Sequence, residues 1–273
     1  MRVGDDRVGY LAGMPELPDV EVFRRRLVEA TTDRRIEGID VLDGEVLTTT
    51  SAELDRALAG SRVSGTRRHG KQLYVGLGDG PLLRLHFGMT GYLTSVADHD
   101  ELPRHTRVVL ALSRGRRLLL VDQRKLGEVG LVGSADDDVA QRGLGPDALD
   151  LDPAGLREVL ARSRGALKPT LMDQGRIAGL GNIYSDEVLF QARLDPRAPA
   201  AEVSRGEAQR LHRQLRRVLE RAVEGEVRDF PRGWLLHRRD DDARCPRCGG
   251  PVERLTAAGR HGFRCPACQS REG

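Results

Sequence analysis

Two Cys-x-x-Cys pairs near the end of the chain, CPRC at 245–248 and CPAC at 265–268, constrain its folding more than any other feature. Sixteen residues separate them, a zinc-site spacing in which each pair turns tightly enough to aim two thiolates at one ion. Four thiolates at ~2.3 Å complete a tetrahedral shell and leave no open position for a reacting ligand. Cys245, Cys248, Cys265 and Cys268 therefore predict one structural zinc ion. The residues between the pairs read as a β-hairpin whose tip carries Gly259, Arg260, His261 and Gly262. A zinc-pinned hairpin with a basic tip suits a nucleic-acid groove; a small ribbon that only stabilises the fold fits the same residues. Taken alone, the ribbon points to nucleic-acid or protein contact.

The first thirteen residues, MRVGDDRVGYLAG, lack the apolar core of a signal peptide. No stretch approaches the 18 apolar residues of a membrane span. A reducing, cytoplasmic setting is the expectation, and there cysteines are metal ligands rather than disulfides. At 273 residues, 39% hydrophobic and 31% charged, the chain has the composition of a globular protein of about two domains. The net charge of +3 hides arginine clusters in FRRRL, TRRHGK, RGRR, RQLRR and LHRR. Arginine forks match phosphates, but a solvated arginine-rich surface gives the same composition.

From Leu27 to Val132 short apolar runs alternate with turn residues. QLYVGLGDGPLLRLHFG and TRVVLALSRGRRLLLV each read as two strands around a turn, which predicts a β-sandwich or barrel-like domain. A helix precedes it in LPDVEVFRRRLVEAT, with Val20, Phe23, Leu27 and Val28 on one face. The polar, Gly-rich stretch that follows the strands reads as a linker over 134–152. Beyond it the period becomes helical. Pro153 stands near one helix start, and Ser204 and Glu207 form a capping box ahead of an apolar stripe of Leu211, Leu215, Val218 and Leu219.

Within LKPTLMDQGRIAGLGNIYSDEVLF, at 167–190, one short helix ends before Gly175 and another begins after Asn182. The glycine-rich turn between them exposes backbone N–H groups that can bind an anion, with the Asn182 amide and a free Lys168 ammonium nearby. Close packing of a buried helix–turn–helix would use the same glycines.

Together, MPELPDVEVFRRRL, RHGKQLYVGL, LHFGMTGYL, DQRKLGEVGLV, LKPTLMDQGRIAGLGNIYSDEVLFQARLDPRAPA and the cysteine segment resemble, in order, the Fpg/Nei family of DNA glycosylases. The likeness runs from 14 to 269. It implies an α+β chain: an N-terminal β-sandwich with flanking helices over 14–133, a helix–two-turn–helix domain over 153–240, and a four-cysteine zinc finger over 241–273. It also implies a partner, double-stranded DNA containing damaged bases or abasic sites, bound by a nucleoid-associated monomer in a cleft between the halves. The damaged nucleotide would be flipped out, since its anomeric carbon is unreachable inside the stack.

The implied activity is base excision with abasic-site lyase chemistry. The family nucleophile is the amine of an N-terminal proline, matched here by Pro15. That match implies that Met14 is the working start, or that residues 1–13 are trimmed. Attack on C1′ expels the base and leaves an iminium, which permits strand cleavage by β- and δ-elimination. Glu16 matches the adjacent catalytic carboxylate, Lys71 a lysine near the lesion, and Arg260 the finger arginine that aids the second elimination. Lys168 and Asn182 match phosphate-holding residues; His105 and Arg164 match backbone contacts. Met89, Arg124 and Leu126 match side chains that fill the hole left by the flipped base, and Lys125 adds a basic contact.

The chain departs from the family in two places. DQRKLG replaces Asp-Pro-Arg-Arg-Phe-Gly, so Lys125 keeps charge without a bidentate fork and Leu126 lacks an aromatic face. The segment from 225 to 245 is short where the Fpg branch carries a loop that caps an oxidised purine. That weakens an 8-oxoguanine assignment and leaves formamidopyrimidines, oxidised pyrimidines and bare abasic sites open. A second hypothesis, a catalytically silent binder of damaged or abasic DNA, uses the same surface. Trp234 fits either stacking on a base or core packing, and His86 fits a packed strand.

Overall fold

The computed structural model describes residues 14–227, 229–240, 242–257 and 259–270, without the side chains of Ala257 and Arg260. The 1–13 extension lies outside the described residues. In chain order come α1 (Leu17–Thr31), β1 (Ile36–Val41), α2 (Ser51–Leu58), β2 (Gly65–His69), β3 (Gln72–Gly76), β4 (Leu82–His86), β5 (Tyr92–Ala97), β6 (Thr106–Leu112), β7 (Arg116–Val121) and β8 (Glu128–Val132). Then follow α3 (Ala135–Gln141), α4 (Pro153–Ala161), α5 (Leu167–Met172), α6 (Asn182–Ala192), α7 (Arg205–Glu224), β9 (Glu253–Ala257) and β10 (Arg260–Arg264).

Contacts divide the chain into two compact units. The first holds Arg26–Thr66 and Tyr74–Val132; the second holds Glu16–Arg25, Arg67–Leu73 and the chain from Gly133 onward. Glu16 and Gly70 are bonded to residues of the second unit and cluster with it together with their neighbours.

Strands β1 to β8 form sheets of order β1-β6-β7-β5 and β2-β3-β4-β8. Leu83, Leu85 and Val129 of one meet Val108, Leu110 and Leu120 of the other, the sandwich that the period-2 runs predict. The β6–β7 turn has Arg114 at φ 66° and Gly115 at φ 67°. Ser113 to Gly115 form a three-residue loop between the paired Leu112 and Arg116, and its last two residues are left-handed. Thr50 and Glu53 form a capping box at α2.

One element departs from its expected face. Val20, Phe23 and Leu27 of α1 are buried, but Val28 is 38% exposed and Val22 only 2%. A single-stripe reading assumes one burying partner; α1 is enclosed on more than one side through its first turns, where Leu17, Asp19, Val22 and Phe23 are all buried.

The second unit packs α4 to α7 around Leu156, Leu171, Tyr184, Leu211, Leu215 and Leu219. Pro153 is in the first turn of α4 with Asp152 as cap, and α7 opens on the Ser204–Glu207 capping box. The 134–152 stretch is packed rather than a free linker. It holds α3, capped by Ser134, and buries Asp147, Ala148 and Leu151. Trp234 is buried and stacks on Phe230, which meets Tyr184 edge-on, so packing is its role. β9 and β10 form the expected antiparallel hairpin. No helix among the described residues is long and apolar enough to cross a membrane.

Candidate active site and metal centre

α6 is buried continuously from Tyr184 to Phe190, so its polar side chains and its unpaired N-terminal N–H groups need partners inside the protein. The N-terminus finds Glu16. Gly181 N–H donates to Glu16 Oε2 at 2.6 Å, Ile183 N–H to Oε1 at 2.7 Å and Tyr184 N–H to Oε2 at 3.2 Å. A carboxylate suits this end of a helix, where the dipole and the unpaired donors converge. The anion that the glycine-rich turn binds is thus the protein's own Glu16, 1% exposed. Two glycines make the approach feasible. A Cβ on Gly181 would lie 2.5 Å from Glu16 Cδ, and one on Gly179, at φ +115°, 2.6 Å from Leu17 Cδ1. Leu17 N–H donates to Gly179 O at 3.0 Å, and Glu16 N–H to Asp19 Oδ2 at 2.8 Å. Pro15, the residue before, is buried.

Lys71 lies in the β2–β3 turn and is 8% exposed. That turn is clamped by Asp147, which sequence reasoning missed. Asp147 Oδ2 accepts the Gly70 N–H at 2.6 Å, and its carboxylate takes Arg68 Nη1 at 2.5 Å and Nη2 at 3.2 Å. Burial pushes the Asp147 carboxyl up, but the Arg68 guanidinium and the backbone donors more than offset it and hold it below the usual range. Asp147 also bridges Ala178, and a Cβ on Gly70 would meet the Ala178 Cβ at 2.8 Å. One buried carboxylate therefore sets the Lys71 turn against the segment that leads into the Glu16 cradle. A lone acid in a polar run gives no signal of this.

Lys168 carries no free ammonium. It is 0% exposed, and its Nζ donates to Asp186 Oδ1 at 2.5 Å. Burial lowers its pKa against the pull of Asp186. Arg239 Nη1 donates to Asp186 Oδ2 at 2.6 Å. Asn182, at the start of α6, donates from Nδ2 to His261 O at 2.8 Å. Arg164 is exposed between α4 and α5. Arg260 opens β10, and its side chain lies outside what is described.

Within the first unit two of the three proposed gap-filling residues, Met89 and Arg124, meet, and Leu126 follows on the same loop. Met89 is 36% exposed and Leu126 46%, and Arg124 Nη1 lies 3.1 Å from Met89 Sδ. Buried Asp122 builds their loop by accepting the Arg124 N–H at 3.2 Å and the Gly127 N–H at 2.8 Å. Gly88 passes so close that a Cβ would lie 2.4 Å from Leu126 O. His105, at φ 68°, joins the same loop through its carbonyl, which accepts the Asp122 N–H at 3.0 Å. Lys125 turns away from a free basic role: its Nζ is 2.9 Å from Asp43 and 3.2 Å from Glu45.

The four cysteine sulfurs lie within 4.8 Å of one another, with Cys245–Cys268 at 3.9 Å and Cys248–Cys265 at 3.5 Å. A tetrahedron with Zn–S of ~2.3 Å has edges of ~3.8 Å, so the four thiolates fit one structural zinc.

Residues 14–129 match the formamidopyrimidine-DNA glycosylase N-terminal domain, 143–230 the H2TH domain of the same proteins, and 244–271 the zinc finger found in FPG and IleRS. The formamidopyrimidine-DNA glycosylase of Pelotomaculum thermopropionicum is 35% identical, with 94% of this chain and 99% of that protein aligned. The one from Moorella thermoacetica is 37% identical over 89% of this chain and 94% of its own length. Among solved structures, the Lactococcus lactis FPG in complex with Fapy-dG containing DNA superposes with TM-score 0.85 at 28% identity, over 94% of this chain and 100% of that one. MutM in complex with carbocyclic 8-oxo-G DNA also gives 0.85, at 29% identity with the same coverage. The chain belongs to the formamidopyrimidine-DNA glycosylase family.

Proposed function

We propose that this protein is a base-excision-repair glycosylase that removes oxidised bases, formamidopyrimidines first among them, from duplex DNA and then cleaves the abasic strand. The observation that carries the reading is the Glu16 carboxylate seated on the N-terminus of α6, one residue from Pro15. With a free N-terminus at position 15, the imino nitrogen attacks C1′ of an extruded nucleotide. The N–C1′ bond forms, the C1′–base bond breaks, and the departing base takes up a proton. An α-amine titrates near ~8 against ~10.4 for lysine, so more of it is unprotonated at neutral pH. The attacking nitrogen sheds its proton, the C1′–O4′ bond opens with O4′ protonated, and the resulting iminium acidifies C2′–H; loss of that proton expels the 3′ phosphate. Glu16 is the group nearest in sequence to exchange those protons. Its grip by three N–H groups fixes its rotation, which supports the assignment.

Lys71 is assigned to the phosphate and the C2′ proton beside the lesion. Asn182, His105 and Arg164 are assigned to the DNA backbone, and Arg260 to the second elimination. Lys168 contributes to phosphate binding only if its pair with Asp186 opens. Met89, Arg124 and Leu126 fill the vacated stack and offset part of the unstacking cost. The zinc ion holds the hairpin and takes no chemical step. We place the work on chromosomal DNA in a nucleoid-associated, cytoplasmic setting.

Borohydride reduction in the presence of abasic duplex tests the reading, using protein whose N-terminus has been verified by intact mass. A covalent adduct at Pro15 is expected. No adduct from protein that binds the duplex would indicate a silent binder. Full activity with residues 1–14 still attached would refute Pro15 as nucleophile.

A further inference from the structure

We propose that Asp186 is the positioning residue that registers the zinc hairpin on α6, so that the hairpin and the Glu16 cradle are held by one helix. The proposal rests on the reading above that the hairpin meets DNA. Asp186 is 0% exposed, and a buried carboxylate persists only where donors surround it. Its donors come from three distant segments: Lys168 Nζ on α5 at 2.5 Å, Arg239 Nη1 ahead of the finger at 2.6 Å, and the Phe263 N–H of β10 at 3.1 Å.

The bond to Phe263 is to main chain, and it does not stand alone. One turn earlier on α6, Asn182 donates to the carbonyl of His261 at 2.8 Å. Residues four apart on a helix rise ~6.0 Å, and residues two apart on a strand ~6.6–6.8 Å. Asn182 and Asp186 therefore match the spacing of His261 and Phe263 along one edge of β10. The other edge pairs with β9, Gly262 opposite Leu255. α6 thus covers with side chains an edge that would otherwise lack a strand. Gly262, between the two bonds, leaves room for the Lys168 ammonium: a Cβ there would lie 2.1 Å from Nζ and 2.9 Å from Asp186 Oδ1. Slipping β10 by one residue would exchange the edge bonded to α6 for the edge bonded to β9 and bring a side chain against Lys168. Arg239 lies over the Phe263 ring at 4.9 Å and adds to the hold.

Asp186→Ala removes all three bonds; Asp186→Asn keeps a carbonyl for the Phe263 N–H and removes the charge. Three measurements decide: zinc per chain, affinity for a duplex with a tetrahydrofuran abasic analogue, and hydrogen exchange at the Phe263 amide. The expected result is one zinc retained, affinity lowered at least tenfold in Asp186→Ala and less in Asp186→Asn, and Phe263 exchange faster than wild type in both, by the smaller factor in Asp186→Asn. Borohydride trapping at saturating abasic duplex should persist, because Pro15 and Glu16 are untouched. Unchanged Phe263 exchange, or affinity within twofold of wild type, would overturn the proposal. Should Asp186→Ala lose its zinc or its fold, the Asp186→Asn exchange rate decides. Failure of wild-type protein to bind the duplex would sink the DNA reading instead, while the exchange measurement would still judge Asp186.

Discussion

Gly181→Ala should disable base excision without altering any group assigned to chemistry. The backbone at Gly181 is extended, at φ −131° and ψ −155°, and open to an L-residue. The added Cβ would sit 2.5 Å from Glu16 Cδ, 2.6 Å from Oε1 and 2.8 Å from Cγ, where carbon contacts settle at ~3.5–4.0 Å. Backbone on both sides is fixed, so the Glu16 side chain must withdraw by about 1 Å. A misplacement of that size costs on the order of 10²-fold in rate, or about 3 kcal/mol of barrier. The assay is single-turnover excision from a duplex with one formamidopyrimidine, using protein that begins at Pro15. Cleavage at a preformed abasic site is measured in parallel, and zinc content and melting serve as controls. Excision should fall about 10²-fold while abasic cleavage falls less. Excision at the wild-type rate would refute the claim that the seat of Glu16 on α6 matters.

Asp147→Ala removes the nearer carboxylate from Arg68, whose side chain is 9% exposed, leaving it Glu21 at 3.5 Å and the Gly70 carbonyl, and leaves the Gly70 N–H unpaired; with one carboxylate remaining, the cost should fall at or below the ~3–5 kcal/mol of a fully broken buried pair. Denaturant unfolding should show that loss, and a change below about 1 kcal/mol would contradict the clamp. Cys265→Ser opens the thiolate shell, so zinc should leave and duplex affinity drop while the Pro15 amine stays competent; unchanged binding would remove the finger from the DNA contact. Glu187, buried on α6 and bonded to Gln191 and the Leu236 N–H, is pushed up to about 7 mainly by burial. A raised carboxyl binds its proton more tightly in the folded state. Its contribution is complete below the ordinary glutamate value of ~4.5 and is lost as pH rises to about 7. Glu187→Gln should flatten stability between those values, measured by unfolding against pH, and an identical slope would count against this.

What is encoded locally was legible. The β6–β7 hairpin, the Ser204–Glu207 capping box, the Pro153 helix start and the zinc knuckles each depend on residues within one turn or one short loop, and local sequence carries such signals. Val28 was misplaced because periodicity records how many apolar residues a helix has but not how many sides are covered.

The sequence by itself determined which groups the chain carries: a proline at 15, a carboxylate beside it, and four thiols at zinc spacing. Tertiary structure decided which of these groups meet and which are already occupied. Glu16 reaches α6 across 165 residues, and Asp147 reaches the Lys71 turn across 77. Lys168 and Lys125, which look like free cations in sequence, are held by Asp186 and by Asp43 with Glu45. A pair so far apart in the chain leaves no periodic trace. It exists only because chain closure brings a buried charge to the one place where its donors converge.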